Sequence, residues 1–386
     1  MKISLRTQQL KSIFSYEKKA IIEDRPLEIR PYRFIQRTGE NEINCFQESI
    51  PTTEFCPIPD NGIEENKNFP YVVFVPKGTQ KTDQAILLLH GLNERSWEKY
   101  LTWAEFLSLA TGKAVILFPI AFHMNRTPSN WYNPRAILPW VTKRKQQISD
   151  LSNSTFVNVA LSCRLSESPI RFYASGRESI FNLWQLLSEI KQGKHPLFKE
   201  DSSVNIFAYS IGALLAQILF LANPDHLVQN SRLFMFCGGS IFSQMNGNAR
   251  DIMDQEAYGR VRHYFLHNFL ENNEHHRMLP TVFKEDFLEK AFKAMLVPET
   301  LKEYRETFFK ENKERIKILT LKNDIVMPTS GVIEALGVSN ATTILEEWDF
   351  PYDYNHQNPF PSNTRIAPEL LYQSFKGLFN KAASFL

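Results

Sequence analysis

Ser210 stands where a strand-like run meets a helix-like run. Val204-Asn205-Ile206-Phe207 is apolar in the manner of a buried strand, and Ala213-Leu214-Leu215-Ala216-Gln217-Ile218-Leu219 follows at once as a helix. The residues two before and two after the serine are Ala208 and Gly212. A turn sharp enough to present a hydroxyl at such a corner crowds those two positions together, so both must be tiny. The usual pattern has glycine at both, and Ala208 departs from it by one methyl group. The chemistry this setting serves is nucleophilic attack. A serine hydroxyl is a poor nucleophile until a base takes its proton, so a base and a partner to orient it must be sought elsewhere in the chain. The competing interpretation is a buried strand running into a helix with an ordinary serine at the join.

Two later segments supply the candidates. Ile316-Lys317-Ile318-Leu319-Thr320-Leu321 leads into a loop with Asp324, and Thr342-Thr343-Ile344-Leu345-Glu346-Glu347-Trp348 leads into a Pro- and Asn-rich loop with His356. An imidazole, with an unperturbed pKa of about 6.5, can take the serine proton and later return it to a leaving group. Of the nine histidines, His356 alone lies in the loop after the last strand-like run. Asp349 and Asp353 compete with Asp324 as the orienting acid but sit on the histidine's own loop, where Asp353 could serve as an outer partner. Upstream, Ala85-Ile86-Leu87-Leu88-Leu89 is continuously apolar, as in a central parallel strand covered on both faces, and ends in His90-Gly91-Leu92.

The order Ser210, Asp324, His356, each just after a strand-like run, resembles the α/β-hydrolase fold. The resemblance covers roughly residues 70 to 386. It implies an α/β architecture with a mostly parallel central sheet flanked by helices. It implies Ser210 as nucleophile, His356 as general base and Asp324 as its orienter. It also implies an oxyanion hole from the backbone N–H groups of Leu92 and Ile211. His90 is expected to shape that loop, and no run of three glycines follows it as in the lipases and esterases with an expanded hole. Serine rather than aspartate at the corner argues against the dehalogenase and epoxide hydrolase branches. The implied reaction is acyl transfer to water from an ester, thioester or amide of a small, largely apolar substrate. The alternatives are an acyltransferase or carbon–carbon bond hydrolase with the same three residues, or a non-catalytic binding protein on the same fold. His123 and Tyr209 are candidates for substrate binding; His123 could instead bond its own loop.

The elements that must position these residues divide the chain. Residues 1–68 are charged, rich in proline and without a motif, and are expected to form an extension packing on the core. Residues 69–386 are expected to form the hydrolase domain. Within them, residues 120–170 read as a long irregular segment opening near the site. Ser175-Gly176-Arg177-Glu178 matches a capping box, predicting a helix that starts there. Residues 242–314 read as several helices, one from Phe283 and one from Pro298, and are expected to form a cap over the site. Tyr258, Tyr264, Phe265, Phe269, Phe283, Phe287 and Phe292 give that insert more aromatics than a solvated surface needs.

Composition limits the partners. Lys and Arg total 44 against 42 Asp and Glu, which gives no electrostatic case for nucleic acid or an anionic membrane. Cys45, Cys56, Cys163 and Cys237 are scattered, without a Cys-x-x-Cys pair. His263 and His267 are spaced four apart but lack the intervening glutamate of a zinc helix, and are expected on a solvated face with His275 and His276 nearby. His195 and His226 read as surface residues. No metal or cofactor is expected. Residues 1–6 lack the apolar core of a signal peptide, so a cytoplasmic location is the default expectation.

Overall fold

The computed structural model describes residues 2–37, 50–270, 286–361 and 365–386. Cys45, His275, His276 and Phe283 lie outside the described residues. Nine strands make one sheet: β1 (Ala20–Ile22), β2 (Leu27–Ile35), β3 (Asn68–Pro76), β4 (Thr82–Leu89), β5 (Ala114–Leu117), β6 (Phe198–Tyr209), β7 (Leu233–Phe236), β8 (Ile316–Leu321) and β9 (Leu345–Trp348). Their order is β1-β2-β3-β5-β4-β6-β7-β8-β9. From β5 to β9 every pairing is parallel, while β1, β2 and β3 join antiparallel. With helices on both faces this is the α/β-hydrolase fold. The chain leaves β4 toward β5 on one side and returns to β6 on the other. A crevice therefore opens at the carboxyl ends of β4 and β6, where open parallel sheets place their ligands. Leu92 and Ser210 follow those two strand ends.

Alternation along the strands sorts side chains onto two cores. Leu87, Leu89, Ile206 and Ala208 face one, with the helices Arg171–Lys191 and Ile211–Ala222. Ile86, Leu88, Phe207 and Tyr209 face the other, with the helices Glu98–Thr111 and Pro368–Phe385. This period of two explains why Ala85–Leu89 of β4 and Ile206–Tyr209 of β6 carry apolar residues at successive positions: both faces are covered there.

The first 68 residues do more than pack on the core, because Ala20–Ile22 and Leu27–Ile35 are strands of the sheet itself. Pro31 and the charges Glu28, Arg30 and Arg33 hide β2 in the sequence. The proline is tolerated because β1 pairs only Leu27 to Ile29, leaving the rest of β2 as an edge. Glu28 is buried but paired with Lys19 and Arg30 and accepts from the Gly78 N–H, which together hold its carboxyl down at about 2 against the opposing cost of burial.

Residues 120–170 also contain more regular structure than expected. The helices Pro134–Gln147 and Val159–Glu167 lie there, the first with Asn133 as N-cap and Pro134 in its first turn. The next helix begins at Arg171, so Ser175 falls inside it, its hydroxyl on the Phe172 carbonyl. Glu178 is not a capping residue but accepts from the buried Asn66 amide. What disguises this region is buried arginine. Arg164 and Arg171 converge on the Asp60 carboxylate at 2.9–3.0 Å, and Arg144 binds Asp254 through two contacts of 2.8 Å. Breaking such a buried pair leaves an uncompensated charge, at a cost of roughly 3–5 kcal/mol. His195 is buried rather than at the surface. Its Nδ1 accepts from the Leu197 N–H and its Nε2 meets the Tyr71 hydroxyl at 2.7 Å, and burial pushes its pKa down to about 4.

Candidate active site

Ser210 has φ 57° and ψ −123°, a backbone conformation that costs a non-glycine residue of order 1–3 kcal/mol. Surrounding packing enforces it. A Cβ on Gly212 would lie 2.8 Å from both the Leu89 and His90 carbonyl oxygens. Those atoms are backbone and cannot give way, so only glycine fits. The opposite arm of the corner is less demanding: Ala208 is fully buried between β4 and β7 and fits its methyl. The departure from the usual pattern thus falls on the side with room. A third glycine, Gly238, passes behind the corner, where a Cβ would lie 2.5 Å from that of Ala213.

Ser210, His356 and Asp324, far apart in sequence, form one hydrogen-bonded chain. Ser210 Oγ lies 2.7 Å from His356 Nε2, and His356 Nδ1 lies 2.7 Å from Asp324 Oδ2. All three residues are about 3 % exposed. Asp324 Oδ1 accepts from the backbone N–H groups of Val326 and Met327, both at 2.9 Å. A carboxylate so held accepts from imidazole, so Nδ1 carries the proton and Nε2 offers its lone pair to the serine hydroxyl. Cys237, at the end of β7, packs on the same carboxylate, and burial followed by the charge of Asp324 pushes its thiol pKa well up. Asp349 is engaged elsewhere, with the Tyr354 hydroxyl and Lys322, and Asp353 is exposed.

Tyr209 occupies a different place from the one its neighbourhood to Ser210 suggests. Alternation along β6 turns it to the face opposite Ala208, into the second core. There its hydroxyl donates to the His356 carbonyl and its ring stacks under the imidazole, 5.6 Å between centroids at 18°. It braces the histidine loop and is not among the residues lining the cavity at Ser210.

The loop after β4 is equally well pinned. His90 Nδ1 donates to the Gly91 carbonyl at 2.8 Å, and Nε2 accepts from the Ile120 N–H at 3.0 Å. The Gly91 N–H donates to the Tyr100 hydroxyl. Leu92 comes next, and Ile211 is the first residue of its helix, whose N–H has no intrahelical acceptor. Leu92, Ser210 and Ile211 share the wall of one cavity of about 50 Å³, completed by Phe242, Tyr258 and Val261 of the 242–314 insert. A neighbouring, mainly apolar cavity of about 60 Å³ has Leu92, Phe172 and Ile211 as walls in common with the first and reaches His123. A larger cleft of about 530 Å³ also includes Leu92 and has a mixed lining, with Asn93, Arg95, Lys99, Asp251, Gln357 and Asn358 beside Trp103, Phe360 and Leu371.

Of the insert aromatics, Phe265, Phe269 and Phe292 pack tilted or edge-to-face against one another, Phe269 and Phe292 also against Tyr173 of the Arg171–Lys191 helix, and Phe292 lines the 60 Å³ cavity as well. Phe287 is exposed. The insert helices run Gln255–His263, Phe287–Ala294 and Lys302–Glu311, the last beginning four residues beyond Pro298. His263 and His267 stack side by side at an exposed surface. Among the described residues no group of three or more His, Cys, Asp or Glu could hold a metal ion, and no helix is long and apolar enough to cross a membrane.

The chain matches, over residues 1–386, a family described as a family of unknown function (DUF6051), and it belongs to that family. No curated protein sequence matches it. Similar solved structures include a variant of the esterase rPPE, at 9 % identity and TM-score 0.46, covering 99 % of this chain and 88 % of that one. Carboxyl esterase 2 of the mycorrhizal fungus Tuber melanosporum has 10 % identity and TM-score 0.44, covering 99 % and 98 %. A Pyrobaculum calidifontis esterase has 9 % identity and TM-score 0.44, covering 100 % and 93 %.

Proposed function

We propose that this protein is a serine hydrolase that cleaves carboxylic esters through an acyl-enzyme, with Ser210 as nucleophile, His356 as general base and Asp324 as its orienter. The observation that carries this reading is the unbroken Ser210–His356–Asp324 chain, with two 2.7 Å links, on a strained corner at the sheet's crevice. Ser210 Oγ attacks the ester carbonyl carbon while its proton passes to His356 Nε2. The oxygen that gains charge is met by the N–H groups of Leu92 and Ile211, the latter at a positive helix terminus. Asp324 offsets the imidazolium, which then returns the proton to the leaving alkoxide. Water then attacks the acyl carbon as His356 Nε2 takes its proton, the bond from that carbon to Ser210 Oγ breaks to release the acid, and the imidazolium returns the proton to Oγ.

The linings of these cavities support an assignment of the two halves of the ester. His356 must reach the leaving oxygen, and Gln357 and Asn358, which follow it directly, line the larger mixed cleft, so this reading puts the alcohol there. The apolar cavities along Ile211 and the insert form the acyl side. On this reading residues 242–314 act as a cap that shapes the acyl pocket and excludes water.

The test is a series of p-nitrophenyl esters of rising acyl length, on the native protein and on Phe242→Ala, Tyr258→Ala and Val261→Ala. Short acyl groups should be turned over best by the native protein. Each variant that enlarges the cavity should move the optimum toward longer chains, by about fourfold in kcat/KM for each methylene newly accommodated. No turnover of any ester would contradict the hydrolase reading. An unchanged preference in every folded variant would contradict the cap.

A further inference from the structure

His90 and His123 lie side by side, ring centroids 5.4 Å apart, and are built alike. Each is buried and directs Nδ1 at a backbone carbonyl 2.8 Å away, Gly91 for His90 and Ala121 for His123. A carbonyl only accepts, so each Nδ1 carries the proton and each Nε2 is left as a lone pair. For His90 that lone pair is used, by the Ile120 N–H. For His123 it is not: Nε2 is buried with no hydrogen-bond partner among the described residues. Protonating it would bury a charge, and burial accordingly pushes the His123 pKa down to about 4.

An unmatched acceptor in the interior is costly and calls for an explanation. Here the loop is held in place at that cost. Phe122 and Met124, on either side of His123, both have left-handed backbones, φ 60° and 52°. The loop is fastened further by Ser179, Asn66 and Glu94, on the N–H groups of Ala121, Phe122 and Met124. His123 is 7 % exposed and forms part of the wall of a further cavity of about 50 Å³, with Trp131 and Arg164, and of the adjoining 60 Å³ cavity, with Ile120, Ile180, Leu214 and Phe292 beside Ser175 and Ser179. A cavity of that volume admits only a few heavy atoms. It adjoins Leu92 and Ile211, on the acyl side of the reaction.

We infer that His123 Nε2 is a specificity determinant, the acceptor for a hydroxyl or N–H group carried on a short acyl chain, so that the preferred substrates are esters of hydroxylated or similarly donor-bearing acids. The inference rests on the hydrolase reading for the position of the acyl group. A donor there would satisfy a buried, unmatched acceptor in a mainly apolar wall, whereas a methyl in its place leaves the lone pair buried and bare. Sites built in this way discriminate far more strongly than a purely apolar pocket does.

The experiment compares isosteric pairs of p-nitrophenyl esters, 3-hydroxybutanoate with 3-methylbutanoate and 4-hydroxybenzoate with 4-methylbenzoate, each corrected for spontaneous hydrolysis. The native protein should favour the hydroxylated member of at least one pair by roughly ten- to a hundredfold in kcat/KM. His123→Phe should abolish or invert that ratio, and His123→Gln, which restores an acceptor, should recover part of it. Because a buried variant can fail to fold, the native protein labelled with ¹⁵N-histidine is also titrated with the free acids. A hydroxy acid should move one Nε2 resonance of a neutral Nδ1–H histidine upfield, and the methyl acid should not. Turnover of p-nitrophenyl acetate without preference in either pair, or a preference that persists in His123→Phe, would overturn the assignment. Absence of all turnover would count against the hydrolase reading instead, and the titration would then decide the role of His123: no shift with either hydroxy acid overturns it.

Discussion

Ser210→Ala is expected to lower kcat/KM for any ester the protein hydrolyses by roughly 10³-fold or more, with the fold intact. The substitution removes one buried oxygen and leaves the corner's geometry to Gly212 and Gly238, which have no room for any other residue. Alanine at position 210 keeps the strained backbone but gives His356 nothing to deprotonate. The hydroxyl's removal also leaves the buried Nε2 lone pair without its 2.7 Å partner, so a loss of stability of roughly 1–3 kcal/mol should accompany the loss of turnover without unfolding the protein. Steady-state rates on p-nitrophenyl acetate, beside a thermal melt, check this. Turnover within tenfold of native would remove Ser210 from the mechanism.

Asp324→Asn is expected to cost about as much, roughly 10³- to 10⁴-fold in kcat, and the structure specifies why. The N–H groups of Val326 and Met327 can only donate, and both point at Oδ1. An asparagine there must set its carbonyl toward them and its amide NH₂ toward His356. Nδ1 must then accept, the proton moves to Nε2, and the imidazole presents a donor to Ser210 where an acceptor is required. The variant should fold, bind ester and turn it over poorly. ¹⁵N spectra should report the exchanged tautomer of one histidine. Asp349→Asn and Asp353→Asn, whose side chains lie away from His356, should stay near native rates. Near-native turnover in Asp324→Asn with loss in either of the others would transfer the acid role.

How much of this was legible in the chain depended on whether a feature is local. The corner at Ser210, the loop of Asp324 and the loop of His356 each announce themselves by a strand-like run and the residues right after it. Their order then suggests the fold. Features set by distant partners were not legible. β2 carries Pro31 and three charges because it is half an edge strand, and nothing in residues 27–35 says so. Arg126, Arg144, Arg164 and Arg171 look like surface residues until Asp60, Asp254 and the backbone carbonyls they serve come into contact with them. Ser175 and Glu178 imitate a cap inside a helix that begins four residues earlier. Tyr209 is adjacent to the nucleophile in sequence but opposite to it in direction, a consequence of strand alternation. From the sequence His123 could touch substrate or simply bond its own loop. It bonds the loop through one nitrogen and leaves the other bare.

The central claim is that Ser210 is an activated nucleophile, and covalent labelling tests it most directly. A fluorophosphonate probe reacts with an activated serine by forming a phosphorus–oxygen bond and expelling fluoride. After brief treatment of the native protein and mapping of the modified peptide, one adduct is predicted, on Ser210. It should be absent in Ser210→Ala and form much more slowly in Asp324→Asn. No adduct on the native protein, or an adduct that persists in Ser210→Ala, would contradict the account.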